Sequence, residues 1–411
     1  MAKTQTVADL LVDLLIQADV KYVWGLPGDS LNGFTESLRV RDEIAWRGVR
    51  HEEVAALAAT YEAEARDALS VCAGSCGPGN LHLINGLFEA QRANVPMVAI
   101  AAQIPSSEIG LGYFQETHPQ NLFAECSDYC ELVSNAAQLP QVFEAAMNSA
   151  IVNRSVSVIV LPGDVALADS PVERVRWQPP VRGVTVPPER ALDDLAERLN
   201  SADNIAILGG YGCHGYHDQV VALADKLKAP VVHALRGKQS LEYDNPYDVG
   251  MTGLIGFSSG YEALKKCDLL VMLGTNFPYR DFFPDHGNII QIDIRGHHLG
   301  RRSQLAMGVI GDIGPTLDAL LPRLDTHDNT RFLKISQDNY REARKDLDEL
   351  ASARDDGKPL HPQYLTARAS ELAAEDAVFT ADVGTPTVWA ARYLKLNGKR
   401  RLAGSWMHGS M

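Results

Sequence analysis

Hydrophobic and polar positions divide the first part of the chain into alternating helices and strands. Apolar residues recur at helical spacing over about residues 6–18, and four continuously apolar runs follow: VKYVWGLPG, LSVCAGSCGPG, VPMVAIAA and VSVIVLPGDVA. Short runs that are apolar on both faces are typical of parallel strands covered on both sides. The pattern therefore predicts a doubly wound α/β domain.

The same pattern begins again after an interruption. Residues 171–188 contain five prolines, which disfavour a helix or a central strand, so we interpret this segment as an interdomain linker. Five apolar strands follow between about 190 and 325, and they predict a second doubly wound domain: NIAILGGYG, APVVHAL, DLLVMLGTNF, NIIQIDI and LAMGVIGDI.

A third unit follows a charged helix. FLKISQDNYREARKDLDELASARDD carries acid/base pairs four residues apart, as solvated helices do. From LHPQYLTARASELA onward there are two helices and two strands, too few to close a core. We expect three α/β domains, at 1–180, 188–330 and 358–411, with the third incomplete.

Composition and charge narrow the function classes. The 411 residues carry a formal net charge of −14, which disfavours nucleic acid as a partner. No apolar run reaches the length of a membrane span, and the N-terminus lacks the apolar core of a signal peptide, so we expect a cytoplasmic protein. The six cysteines are expected to be free thiols packed as small apolar residues. Two C-x-x-x-C pairs are weak support for a zinc site.

Several strand ends carry residues suited to ligand binding, each with an ordinary structural alternative. GSCGPGN (74–80) and GGYGCHG (209–215) are strand-to-helix turns that suit an anion or nucleotide, or simply tight turns. Asp293 at a strand end is a candidate ribose ligand or a helix cap. In RHEEVAALAA, Glu52 and Glu53 begin a helix, so each is either a helix-terminal acid or an acid/base group.

Taken together, these segments resemble the thiamine diphosphate enzymes, and specifically the flavin-containing pyruvate dehydrogenase (quinone) and pyruvate oxidase group. The stretches that carry the resemblance are VWGLPGDSLNGF, RHEEVAALAA, VCAGSCGPGNLHLINGLFEAQ, PSSEIGLGYFQETHPQ, VSVIVLPGDVAL, HALRGK, EYDNPYDVGMTGLIGFSSGY, GTNFPYR, QIDI, GDI, DVGTPTVWAARYL and HGSM. The resemblance implies three α/β domains, which bind the aminopyrimidine, FAD, and the diphosphate with Mg²⁺.

The implied activity is oxidative decarboxylation of pyruvate to acetate and CO2, with electrons passed through FAD to a quinone. The alternatives are an oxygen-using pyruvate oxidase and a non-catalytic FAD-binding fragment. The resemblance also implies a homo-oligomer, a dimer or tetramer, because the family builds its thiamine diphosphate site between two chains.

The resemblance also implies roles for individual residues. Glu52 would hydrogen-bond the aminopyrimidine N1′, leaving Glu53 as the helix-terminal acid, and Phe114 and Gln115 would reach the active site. The implied cofactor-binding residues are Gly25, Pro27 and Gly28; Arg236, Gly237 and Lys238; Thr252, Gly253, Leu254 and Ile255; Gly274, Thr275, Asn276, Phe277 and Pro278; Asp293 and Asp312; and His408, Gly409, Ser410 and Met411.

This sequence departs from the family pattern at its C-terminus. The family holds Mg²⁺ with a Gly-Asp-Gly segment and a following Asn, an oxygen-ligand site, and no such segment stands in this sequence. We therefore expect a truncated, catalytically incomplete chain with no metal ligands of its own. Its full-length form would contact the inner face of the cell membrane through the missing C-terminus.

Overall fold

A computed structural model of the chain describes residues 5–354 and 357–410. The chain divides into two compact units: residues 1–182 with 404–411, and residues 183–403. Residues 358–403 of the expected third domain lie in the second unit, whereas residues 404–410 lie in the first.

The first unit is built on a six-stranded parallel sheet with the strand order β2-β1-β3-β4-β6-β5. Its strands are β1 Tyr22–Gly25, β2 Ala45–Gly48, β3 Ser70–Gly74, β4 Met97–Gln103, β5 Tyr129–Leu132 and β6 Val156–Pro162. Its helices are α1 Val7–Gln17, α2 Asn32–Arg39, α3 Glu52–Arg66, α4 Pro78–Ala93, α5 Pro119–Leu122, α6 Leu139–Asn153 and α7 Gly163–Leu167.

Helices cover both faces of this sheet because its central strands are apolar on both sides. In β4, Val98 and Ile100 join the core packed by α1, α2 and α6, whereas Met97 and Ala99 join the core packed by α3 and α4. The parallel α/β prediction is confirmed. Strands β2 and β5 were not predicted, because these short edge strands are only partly buried and lack a continuous apolar run.

The second unit contains a six-stranded parallel sheet in the order β12-β11-β10-β7-β8-β9, and a separate parallel pair. The strands are β7 Ile205–Gly209, β8 Val231–His233, β9 Asp248–Met251, β10 Leu269–Leu273, β11 Ile289–Asp293 and β12 Met307–Ile310, with the pair β13 Val378–Thr380 and β14 Arg401–Ala403. The helices are α8 Glu189–Asn200, α9 His217–Leu227, α10 Lys238–Leu241, α11 Ser258–Lys266, α12 Ile313–Leu320, α13 Arg331–Leu350, α14 Pro362–Leu372 and α15 Thr385–Tyr393.

Strand β7 shows the same two-sided packing, since Ile205 and Ile207 face one core and Ala206 and Leu208 face the other. Strand β9 is the one member of this sheet that the sequence did not predict. Residues 171–188 contain no helix or strand, as their prolines indicate. All six cysteines are free, which confirms the prediction, and five of them are buried. No helix among the described residues is long and apolar enough to cross a membrane.

Candidate functional site

The carboxyl end of the first sheet is the natural place for a ligand. From β1 the chain proceeds to β2 on one side, and β3 lies on the other side, so the loops after β1 and β3 diverge. In open α/β sheets such a switch point leaves a crevice in which ligands bind. The loops after these two strands carry Gly25, Pro27 and Gly28, and the GSCGPGN segment.

Small residues hold these two loops together. A Cβ added to Gly28 would lie 2.6 Å from the Cβ of Ser75, and one added to Gly25 would lie 2.8 Å from the carbonyl oxygen of Ala73. The backbone N–H of Cys76 donates to the hydroxyl of Ser30 at 2.9 Å. Gly25 and Gly28 therefore allow close loop packing, which fixes the floor of the crevice.

Glu52 is a buried acidic residue at this crevice. It is the first residue of α3 and is only 4% exposed. Its Oε2 lies 3.0 Å from Nδ1 of His82 on α4, and its Oε1 has no hydrogen-bond partner among the described residues. A Cβ on Gly79 would lie 3.1 Å from Oε1, so glycine there leaves space for this oxygen. The free oxygen of this largely buried carboxylate fits a ligand that donates a hydrogen bond, as a protonated aminopyrimidine nitrogen would.

His51, Glu52 and His82 lie close enough to suggest a metal centre, since one ligand atom from each falls within 4.8 Å of the others. The hydrogen bonds disfavour it. Nδ1 of His51 accepts from the backbone N–H of Glu53, so a neutral His51 ring carries its proton on Nε2 and offers no lone pair there. The two imidazole rings stack, with centroids 4.3 Å apart. The cluster is better described as a support for the Glu52 carboxylate.

Glu53 does more than begin a helix. Its Oε1 accepts from the side-chain amide of Asn85 at 2.8 Å, which ties α3 to α4. Its place in the first turn of α3 also suits the helix dipole.

Phe114 and Gln115 lie in a loop that folds on its own carboxylate. Glu116 accepts from the backbone N–H groups of Gly110, Gly112 and Tyr113, and the Gly110 amide contributes most to lowering the pKa of Glu116. Phe114 is 78% exposed, and Gln115 has a left-handed backbone, with φ 63°.

The same loop is attached to the strand-to-helix turn after β3. The thiol of Cys76 donates to Oε1 of Gln115 at 3.5 Å, and a Cβ on Gly77 would lie 2.8 Å from the Cβ of Gln115. The GSCGPGN turn therefore touches both Glu52, through Gly79, and the Phe114–Gln115 loop.

Residues 407–409 are anchored to α4 by one carboxylate. Glu89, which is buried, accepts from the backbone N–H groups of Met407 (3.1 Å), His408 (2.5 Å) and Gly409 (3.3 Å). The His408 ring stacks on Phe88, and Asn85 donates to the carbonyl oxygen of Gly409 at 3.3 Å. Ser410 is exposed, and Met411 lies outside the described residues.

In the second sheet the switch point lies between β7 and β10. The N–H groups of Gly210 and Gly212 donate to the carbonyl oxygens of Leu273 and Gly274, each at 3.0 Å. A Cβ on Gly212 would lie 2.6 Å from Cα of Gly274. The GGYGCHG turn thus uses its glycines to pack against the loop that carries residues 274–278.

In that loop, Oδ1 of Asn276 is buried without a hydrogen-bond partner. The carbonyl oxygen of Thr275 accepts from the side-chain amide of Gln291 at 3.1 Å. The ring of Phe277 packs against that of Tyr279. Pro278 follows in an irregular segment.

The loop after β9 has several free polar groups. It is closed by Phe257 N–H donating to Met251 O at 2.7 Å. The hydroxyl of Thr252 is buried without a partner, and the N–H groups of residues 253–255 have no acceptor among the described residues. Gly253 has φ +103°, which favours glycine. Consecutive free amides at a turn favour an anion such as a diphosphate, so the loop fits the dinucleotide that the sequence predicts there.

The other predicted FAD ligands already have protein partners. Lys238 is buried and pairs with Glu242, and Arg236 lies over the ring of Tyr211 at 4.1 Å, next to Gly237. Asp293 accepts from the N–H of Arg295 at 2.9 Å, and Asp312 accepts from that of Thr185 at 2.7 Å. Their roles toward a cofactor stay predictions.

A buried ionisable pair lies at the carboxyl end of β8 and the start of β9. Burial lowers the pKa of His233 to about 4 and raises the pKa of Asp248. Nδ1 of His233 lies 3.3 Å from the carbonyl oxygen of Ala234, and its Nε2 lies 3.5 Å from Oδ1 of Asp248. Nε2 of His233 and Oδ1 of Asp248 are both buried without a hydrogen-bond partner among the described residues.

Sequence reasoning missed His82, Asn85 and Glu89, although a signal was present. They lie three and four residues apart in NLHLINGLFEAQRA, so they form a polar stripe along an otherwise largely apolar helix. Such a stripe on a helix packed against the sheet indicates polar partners on its neighbours. Cys76 was missed because its role depends on the fold of the Gln115 loop.

Comparison with known proteins gives a consistent result. Residues 5–123 match the family described as "Thiamine pyrophosphate enzyme, N-terminal TPP binding domain", and residues 192–320 match "Thiamine pyrophosphate enzyme, central domain". An uncharacterised 42.6 kDa protein of Pseudomonas amyloderamosa is 54% identical over 364 residues, which are 87% of this chain and 91% of that protein. The putative thiamine pyrophosphate-containing protein YdaP of Bacillus subtilis is 36% identical over 98% of this chain and 70% of its own.

Relatives with assigned activities are more distant. Pyruvate oxidase of Lactiplantibacillus plantarum is 29% identical over the whole of this chain and 69% of its own length. Acetolactate synthase large subunits of Escherichia coli match at a similar level, 28% and 30% identity.

Proposed function

The chain belongs to the thiamine pyrophosphate enzymes, and from that premise we propose that it serves the oxidative decarboxylation of pyruvate to acetate and CO2, with thiamine diphosphate and FAD as cofactors and a quinone as acceptor. The single observation that carries the proposal is the buried Glu52, whose Oε1 has no partner at the switch point of the first sheet. Bound thiamine diphosphate supplies the carbon acid whose deprotonated form attacks 2-oxo acids.

Glu52 and His82 are suited to holding and moving a proton. The carboxylate is buried, but the His82 side chain is 45% exposed, so the imidazole connects the acid to solvent through a 3.0 Å contact. A buried carboxylate that shares a proton with a ring nitrogen can act as a general acid or base. Gln115, held by Cys76 and Gly77, offers an amide to orient a substrate carboxylate.

The second unit supports the FAD part of the proposal. Its loop after β9 offers free amides and the unpartnered Thr252 hydroxyl, and the neighbouring loop offers the unpartnered Oδ1 of Asn276. A diphosphate and hydroxylated ligand fits these groups. Mg²⁺ accompanies the thiamine diphosphate in this proposal, and the described residues include no group that we assign to it.

The comparisons favour no single fate for the decarboxylated substrate, because oxidase and acetolactate synthase relatives are equally similar. The two fates differ in their need for an electron acceptor. Oxidation reduces the flavin, whereas formation of acetolactate consumes a second pyruvate and needs no acceptor.

The test begins with the purified protein, supplied anaerobically with FAD, thiamine diphosphate and Mg²⁺. We expect retained flavin that pyruvate bleaches, with CO2 release, and reoxidation that is faster with a quinone than with oxygen. Glu52→Gln should abolish bleaching and keep the flavin, and Glu144→Gln, at an exposed position of the same unit, is the matched control.

Other outcomes correct the proposal in distinct ways. Equally rapid reoxidation by oxygen indicates a pyruvate oxidase. Acetolactate without bleaching overturns the oxidative reaction. Flavin that is retained but never bleached limits this polypeptide to cofactor binding.

A further inference from the structure

Arg392 on α15 holds the loop after β9 by two hydrogen bonds. Its Nε donates to the carbonyl oxygen of Ile255 and its Nη2 to that of Gly256, each at 3.0 Å. A planar guanidinium that serves two successive carbonyl groups fixes their relative orientation. The contact joins residues 137 positions apart in sequence.

A second arginine supports the first. Nη1 of Arg344 on α13 donates to the carbonyl oxygen of Arg392 at 2.7 Å. The guanidinium groups of Arg344 and Arg392 lie 5.6 and 5.8 Å from the ring centre of Phe257, which closes the loop. Phe257 in turn packs edge-on against Tyr340 and, with Met251 and Ala391, forms a small buried cluster.

The charges around this contact favour an anion. Arg344 pairs with Asp348, whereas no carboxylate lies within ion-pair distance of Arg392 among the described residues. Arg392 therefore has no ion-pair partner in the described part of the chain, and it lies beside a loop whose residues 253–255 have free N–H groups. Both features stabilise a negatively charged ligand at the loop.

We propose that Arg392 is a positioning residue for the dinucleotide: it holds the Thr252–Gly256 loop, henceforth the clamped loop, in the conformation that presents its free amides to the diphosphate of FAD. This inference rests on the proposed function, because it takes FAD as the ligand of the second unit. Arg392 acts through the carbonyl groups of the clamped loop and not by direct contact with the cofactor. Arg344 and Phe257 hold Arg392 in place.

The test compares FAD affinity and loop protection in four forms of the full chain: wild type, Arg392→Ala, Arg392→Lys and Arg341→Gln. Arg341 lies on the same helix as Arg344 but is largely exposed and pairs with Asp338, so it controls for loss of an arginine. FAD binding is followed by flavin fluorescence and visible circular dichroism. Hydrogen exchange of a peptide covering 251–257 is measured without FAD, and far-ultraviolet circular dichroism checks folding.

We expect Arg392→Ala to weaken FAD binding about tenfold or more, because two charge-assisted hydrogen bonds to the loop are lost. Arg392→Lys should recover part of that affinity, since an ammonium group can still serve one carbonyl. The clamped loop should exchange faster in Arg392→Ala even without FAD, and Arg341→Gln should match the wild type in both measurements.

The failures of the two proposals are distinguishable. If the wild type binds no FAD, the FAD site of the proposed function is wrong and the positioning role falls with it. If the wild type binds FAD and Arg392→Ala binds it as tightly, with unchanged exchange in the clamped loop, only the role of Arg392 is overturned. If Arg392→Lys and Arg392→Ala lose the same amount of FAD affinity and both have a disturbed far-ultraviolet spectrum, Arg392 is a general structural residue and the positioning role is overturned.

Discussion

Glu89→Gln is expected to release residues 407–409 from helix α4 while leaving the first unit folded. One carboxylate accepts three consecutive backbone N–H groups at 2.5–3.3 Å. Glutamine has nearly the same shape, but it carries no charge and replaces one acceptor oxygen with an NH2 donor. With the amide oxygen at the Oε2 position, the Met407 N–H keeps an acceptor at 3.2 Å but faces the new NH2 group at 3.1 Å, so rotation of the side chain weakens the arrangement without restoring it.

The magnitude follows from the number and kind of hydrogen bonds. A hydrogen bond to a charged group contributes about 1.5–3 kcal/mol net, and released amides regain water, so the losses do not add fully. We take about 2–4 kcal/mol for the segment, which corresponds to roughly a 30- to 1000-fold rise in its opening equilibrium. The stacking of His408 on Phe88 and the Asn85–Gly409 hydrogen bond remain and limit the effect to this range.

Hydrogen exchange of peptides that cover residues 404–410 measures the opening directly. Exchange should accelerate by that factor in Glu89→Gln and not in Glu144→Gln, an exposed glutamate of the same unit. Peptides from β3 and β4 should exchange at the wild-type rate in both variants. Unchanged protection of residues 407–409 in a folded Glu89→Gln protein would refute the assignment of Glu89 as their anchor.

Three further predictions concern the second unit and the thiols. Gly212→Ala should lower the stability of the second unit by about 1–3 kcal/mol in urea unfolding, because its Cβ would lie 2.6 Å from Cα of Gly274, whereas Gly183→Ala, with open space around it, should not. Burial holds the pKa of His233 at about 4, below its unfolded value of 6.5, so the free energy of unfolding falls as pH falls from 6.5 toward 4. Between pH 7 and 5, His233→Gln should therefore lose up to about 2 kcal/mol less free energy of unfolding than the wild type. The same pH dependence in both proteins would count against this. Burial raises the pKa of Asp248, so this residue raises the free energy of unfolding as pH falls. The double variant His233→Gln/Asp248→Asn separates the pH effects of the two residues. Burial raises the pKa of three thiols to about 12: Cys72, Cys213 and Cys267. In the native protein these thiols should react with a disulfide reagent at least about 100-fold more slowly than in the unfolded protein. Mass spectrometry of labelled peptides measures both rates.

The sequence was sufficient for the central strands and insufficient for the edges. β4 and β10 are apolar on both faces, and that pattern is typical of central strands in a parallel sheet covered on both sides. β2 and β5 lie at the sheet edges, where half of the surface meets solvent and the residues are mixed. Their place in the sheet depends on tertiary pairing with β1 and β6, which no local pattern encodes.

The candidate site also has a part that the sequence predicts and a part that it does not. Glu52 was proposed as a site residue from the resemblance to a family motif, and its position at a helix start was predicted from the pattern and is observed. Its free Oε1, its contact with His82 and the space left by Gly79 require two helices to be placed side by side, which the sequence does not specify. Arg392 is further removed, since its loop partners precede it by more than 130 residues.

The anchor at Glu89 also bears on how the chain is made. Glu89 and Met407 are separated by 318 residues, so the ribosome completes the whole second unit before it releases the donors that this carboxylate needs. At roughly 5–20 residues per second, the nascent first unit waits about 15–60 s before the N–H groups that bind Glu89 are made. Until then the face of α4 around Glu89 lacks the segment that later binds it, so this face is the surface of the unfinished protein that chaperones would be expected to cover.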